Sequence, residues 1–124
     1  MKVLIVDGAN VVGSRPDGWW RDRPGAARRL HDRLVRRLAA GALADEVVLV
    51  LEGKARAGVP EGIDGGVRTV HAPGEGDDEI VAQARQAVAA SGPGDEVLVV
   101  TADRALRARC AAAGAAVAGP STVS

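Results

Sequence analysis

The feature that most constrains this chain is a set of short apolar runs, rich in β-branched residues, at Val3 to Val6, Val47 to Leu51, Val67 to Val70, Val97 to Val100 and Ala115 to Ala118. A strand that is apolar at every position has both faces buried, which is the mark of a parallel sheet covered by helices on both sides. Helical patterns lie between the runs. The first opens at Pro24 and carries Leu30, Leu34 and Leu38 on one face, with Arg28, Arg29, His31, Asp32, Arg33, Arg36 and Arg37 expected on the other, and ends near Gly41. The second starts at Asp77 or Asp78, turns Ile80, Ala84 and Val88 inward and stops at Gly92-Pro93; the third runs from Asp103 to Gly114 with Leu106 and Cys110 inward. The expected fold is α/β: one three-layer α/β/α sandwich with a mainly parallel sheet of four to five strands. Residues 1–119 form the domain and 120–124 a short C-terminal tail. Two stretches, Gly8 to Arg23 and Glu52 to Gly66, are long for connections and are expected as functional loops.

Composition narrows the class. A chain of 124 residues fits a single domain with a core of its own, and one cysteine excludes a disulfide framework. No run approaches the ~18 apolar residues of a membrane span, and the N-terminus turns acidic too soon for a secretory signal, so a soluble cytoplasmic protein without membrane partners is expected. Lys plus Arg number 16 and Asp plus Glu 16, which excludes a uniformly basic nucleic-acid coat protein. The balance is local, however. Residues 15–37 hold eight arginines against Asp17, Asp22 and Asp32, a balance of +5, while residues 41–79 hold nine acids against Lys54, Arg56 and Arg68, a balance of −6.

The acids fall where the strands end. Asp7 follows the first run directly, Glu52 the second; Glu75, Asp77 and Asp78 follow the third after a short turn, and Asp103 follows the fourth. Ligands of an open parallel sheet bind outside those carboxyl ends. Helix capping explains Asp77, Asp78 and Asp103 one by one. It does not explain Asp7, whose Gly8-Ala9-Asn10 sequel shows no helical pattern, and the crowding of Glu75, Asp77, Asp78 and Glu79 calls for a neutralising cation. With no Cys/His pair at zinc spacing, an oxygen-only ligand set selects Mg²⁺ or Mn²⁺, ions that usually serve phosphate chemistry.

Three blocks resemble a known family. Val3-Leu-Ile-Val-Asp7-Gly8-Ala9-Asn10-Val11-Val12, Gly74-Glu75-Gly76-Asp77-Asp78-Glu79-Ile80-Val81 and Val99-Val100-Thr101-Ala102-Asp103-Arg104-Ala105-Leu106 are similar, in order and over nearly the whole chain, to the PIN-like nuclease superfamily, closest to its NYN and YacP-like members. The resemblance implies a PIN-like fold and metal-dependent hydrolysis of phosphodiester bonds in single-stranded or structured RNA. It implies Asp7, Asn10, Asp77, Asp78 and Asp103 as catalytic residues, and Asp7, Asp77, Asp78, Asp103 and Glu75 as ligands of Mg²⁺ or Mn²⁺. Ala105 stands where flap-type relatives carry a further acid, so one tightly held ion is expected rather than two.

Substrate contacts are expected from Arg15, Trp19, Trp20, Arg21, Arg23, Thr101 and Arg104, because arginine forks suit phosphate and indoles stack on bases. The bland reading of the pair is that one tryptophan plugs the core or a homodimer interface, and that the arginines of the first long helix are a solvated face. Cys110 is expected as an inert core residue. Other functions fit parts of the pattern: a nucleotide pyrophosphohydrolase or phosphatase using the same metal site, a receiver-like signalling module with Glu52 near a phospho-acceptor position, or a catalytically silent RNA-binding module.

Overall fold

The computed structural model describes residues 1–124, in the order β1 (Lys2–Asp7), α1 (Gly8–Gly13), α2 (Arg23–Ala39), β2 (Glu46–Leu51), β3 (Gly62–Asp64), β4 (Val67–His71), α3 (Gly76–Ala90), β5 (Glu96–Val100), α4 (Arg104–Ala112) and β6 (Ala116–Ala118). Single 3₁₀ segments cover Trp19–Arg21, Gly53–Gly58 and Pro120–Val123. One six-stranded sheet runs β3-β4-β2-β1-β5-β6, parallel except for the β3–β4 pair. All five apolar runs became strands.

Alternation along the strands divides the core in two. Leu4, Val6, Leu49 and Leu51 face the layer of α1 and α2, with Leu30, Leu34 and Val123; Val3, Ile5, Val48 and Val50 face α3 and α4, with Ile80, Ala84, Leu106 and Cys110. Without Phe or Tyr, both halves are filled by Val, Leu, Ile and Ala at fully buried positions.

Four sequence expectations are corrected. The stretch after Asp7 is not a loop: it forms the six-residue helix α1, and Asp7 is its N-cap. The second long connection holds a 3₁₀ segment and the edge strand β3, making six strands rather than five. Its Gly62-Ile63-Asp64 is wholly exposed and so carries no apolar signature, but it turns into β4 through Gly65 (φ 59°) and Gly66 (φ 83°), the paired left-handed conformations of a tight hairpin turn. His31 is not on the arginine face; it is buried at 1% exposure, its Nδ1 3.1 Å from Asp32 and its Nε2 without a partner. Positions 27, 31, 34 and 38 form one helical stripe, and it faces inward. Arg33 and Arg37 are not simply solvated: Arg33 Nε donates to the carbonyl of Val123 at 3.1 Å, and Arg37 Nη1 to those of Thr122 and Ser124 at 3.1 and 3.2 Å. These bonds and the buried Val123 hold the last five residues against α2.

Leaving out β3, the parallel strands lie in the order β4-β2-β1-β5-β6, which counted along the chain is 3-2-1-4-5. Receiver domains are ordered 2-1-3-4-5, so the receiver-like reading falls on topology. The chain reverses its winding between β1 and β5, and there the carboxyl ends of Asp7 and Val100 lie side by side.

Gly8 sits tightly under this point. A methyl group on it would stand 2.6 Å from the carbonyl oxygen of Val50 and 2.8 Å from Leu51 Cδ2, whereas one on Gly74 meets nothing within 4 Å. Gly8→Ala is expected to lower unfolding free energy by about 1–3 kcal/mol in urea titration, the usual cost of overpacking, and Gly74→Ala to leave it nearly unchanged.

Candidate active site at the sheet's switch point

Strand alternation turns Asp7 to the side of the sheet covered by α3 and α4, and at 6% exposure it is the one buried carboxylate of the protein. Its Oδ1 accepts the backbone N–H of Asn10 (3.2 Å) and its Oδ2 accepts the hydroxyl of Thr101 (2.9 Å). The two strand ends are stitched further. Asn10 Oδ1 accepts the N–H of Ala102 (2.9 Å), Thr101 Oγ1 accepts that of Asp103 (3.2 Å), and Asp103 Oδ1 caps α4 through the N–H of Leu106 (2.9 Å). Thr101 is fully buried, so the substrate contact expected of it is replaced by a positioning role toward Asp7.

From the other side of β1, Glu52 leaves the end of β2 and accepts the N–H of Gly76, tying β2 to the start of α3. Asp77, half-buried in the first turn of α3, lies among Asp103, Glu52 and Glu75. Burial pushes the Asp7 carboxyl above the usual carboxylate range against the opposing bonds from Thr101 and Asn10, with Asp77 and Glu52 adding to the rise. Burial also raises Asp77, helped by Asp103, Glu52 and Glu75 and opposed by Arg109. No basic side chain forms an ion pair with Asp7, Glu52, Asp77 or Asp103.

The expected five-acid ligand set is not gathered as such. Asp78 is 78% exposed and paired with Arg109 at 2.9 Å, and Glu75 stands exposed at the N-cap of α3 without a capping bond. No three of the acidic, histidine or cysteine side chains are gathered closely enough to hold a metal ion between them. What remains is an open set of oxygen donors around the buried Asp7, with Asp77 and Glu52 half-buried and Asp103 exposed, none of them in an ion pair. That fits a hydrated hard cation, which takes one or two carboxylates and keeps several waters.

A cleft of about 460 Å³ adjoins these acids, walled by Gly8, Ala9, Val12, Trp19, Arg23, Glu52 and Glu75. Arg23 lies over the Trp19 ring (5.3 Å) and Arg21 over Trp20 (5.8 Å), and the two indoles meet edge to face at 6.0 Å. Trp19 and Arg23 thus line the cleft, while Trp20 and Arg21 lie outside its lining, and Arg104 is exposed at the first position of α4. Glu52 is the participant that residue patterns alone left out of the site, although its place directly after β2 marked it.

No family model matches the sequence, and no curated protein matches it. Among solved structures, the chain is similar to the crystal structure of a point variant of Rae1 (YacP) from Bacillus subtilis. The TM-score is 0.68 at 19% identity, over 99% of this chain and 72% of that one. The two share one α/β/α sandwich fold. The YacP-like resemblance of the three sequence blocks is therefore matched by the course of the backbone.

The raised Asp7 pKa has a consequence for stability. The folded state binds the Asp7 proton more tightly than the unfolded state, so stability falls as pH rises from the unfolded carboxylate value of about 3.8 through the raised folded value, and stays lower above it. Asp7→Asn keeps an acceptor for Asn10 and removes the charge. Its thermal midpoint at pH 7 is expected to exceed that of the parent, the advantage shrinking as pH is lowered toward 4 in calorimetric scans.

Proposed function

We propose that the protein is a metal-dependent ribonuclease. The observation that carries this reading is Asp7: a buried carboxylate without a cationic partner, locked by Thr101 and Asn10 at the switch point of a PIN-like sheet, beside a cleft with an aromatic wall. A Mg²⁺ or Mn²⁺ ion held by Asp7 and Asp77 would neutralise phosphate charge and acidify a water there. The chain's own groups do the rest. Thr101 and Asn10 fix the direction of the Asp7 oxygens, Asn10 also holding the loop that carries Asp103. Asp103 has one oxygen engaged by the Leu106 N–H, and its Oδ2 is left to accept a proton from the attacking water. Trp19 offers a ring for a base, and Arg23 beside it a guanidinium for a phosphate.

RNA is favoured over a free nucleotide because the arginines beginning at Arg15 extend beyond the Trp19 cleft along α2. A free nucleotide has no use for contacts so far from its reacting phosphate.

The test is cleavage of a 5′-labelled single-stranded RNA with and without Mg²⁺ or Mn²⁺. Asp7→Asn and Asp77→Asn are each expected to slow cleavage by about a hundredfold or more with unchanged circular dichroism, and a chelator to abolish it. Cleavage by Asp7→Asn at the parent rate, or cleavage indifferent to the chelator, would overturn the proposal.

A further inference from the structure

A second, smaller pocket of about 90 Å³ shares Val12 with the Trp19 cleft and is walled besides by Arg15, Asp17, Arg29 and Arg33. Three guanidinium-bearing side chains share its wall, and none of them has an ion pair within the protein. Asp17 lines the same pocket without coming within 4.0 Å of any of their nitrogens. Neither Arg15 nor Arg29 spends a side-chain hydrogen bond on the protein, while Arg33 is fixed in place by its Nε bond to the carbonyl of Val123. Burial, followed by the charges of Arg15, Arg36 and Arg37 and opposed by that of Asp17, holds the Arg33 pKa below its usual value.

A solvated arginine face would spread such charges apart. Here Arg29 and Arg33, one helical turn apart on α2, meet Arg15 from the end of α1 around a single hollow. Planar guanidinium forks arranged in this way match the oxygens of a phosphate. Val12 walls both hollows, so the pocket adjoins the Trp19 cleft.

We propose that the pocket of Arg15, Arg29 and Arg33 is a phosphate subsite that holds a phosphate group of the RNA strand away from the bond being cut. The identity of the strand as RNA rests on the ribonuclease reading; the phosphate site rests on the arginines themselves. The group is either an internal phosphodiester or a 5′-terminal monophosphate.

Binding is measured in EDTA, without turnover, by fluorescence anisotropy of one single-stranded RNA carrying a 5′-phosphate or a 5′-hydroxyl. The double variant Arg15→Ala/Arg29→Ala is compared with the parent and with Arg85→Ala, an exposed arginine of α3 in the opposite layer. The double variant is expected to bind more weakly at low salt and to flatten the dependence of log affinity on log salt by about 0.7 per lost contact, hence by about 1.4. Equal losses for both RNAs identify an internal phosphate; a parent preference for the 5′-phosphate that the double variant erases identifies a terminal one. An affinity and slope no different from those of Arg85→Ala overturn the subsite, and if RNA is still cut, they leave the ribonuclease reading standing. In a separate arm, orthophosphate is titrated while the Nε–Hε resonances of Arg29 and Arg33 are followed. Shifts with orthophosphate in a protein that binds no RNA uphold the phosphate site and remove the ribonuclease reading. No shift, together with unaltered RNA binding by the double variant, overturns the site.

Discussion

A single hydrogen-bonded carboxylate, Asp7, carries the organisation of the carboxyl end of this sheet. Burying an ionised carboxylate is costly unless its oxygens are met by donors, and here two are provided, by the Asn10 backbone and the Thr101 hydroxyl. Those donors come from α1 and from the end of β5, so satisfying Asp7 requires both to be in place. The stitching through Ala102 and Asp103 then follows, and it fixes the start of α4 as well. The bonds offset the burial only in part, since the carboxyl still titrates above its ordinary range with Asp77 and Glu52 close by. The fold retains at this point a charge it does not itself balance.

The sheet and the three longer helices were legible because each buries a face, and burial leaves a period in the sequence. The errors fall where no such period exists. The helix α1 has six residues with glycine at both ends, too short to display one, so the capping role of Asp7 was invisible. The edge strand β3 buries nothing, and its only trace is the Gly65-Gly66 turn. His31 shows the opposite fault: its stripe could be read, but its polarity argued it outward.

Within the site, residue types were easier to read than partners. Asp77 and Asp78 are adjacent and chemically identical, yet the rotation of about 100° between neighbours on a helix sends Asp77 among the carboxylates and Asp78 out to Arg109. The partner of Asp78, Arg109 of α4, lies 31 residues away in the chain. Glu52 was visible at its strand end, but its bond to Gly76 exists only because the parallel pairing of β2 and β4 brings the start of α3 alongside. The zero net charge was similarly opaque. Tertiary contacts assign Arg109 to Asp78, Arg68 to Gln83 and Arg37 to the chain end, and what stays uncommitted is concentrated between α1 and α2.

The protein has no tyrosine or phenylalanine, and its two tryptophans are neighbours in one 3₁₀ turn at the mouth of the cleft. Its ultraviolet fluorescence therefore issues from that spot alone, and the aliphatic interior is optically silent. A spectral change on adding a ligand can be assigned to the cleft rim without any label. Conversely, a melting curve followed by emission records when the Trp19–Arg21 turn lets go, while one followed by circular dichroism records the helices and sheet. The separation between the two midpoints is a direct measure of how tightly the cleft rim is coupled to the rest of the domain.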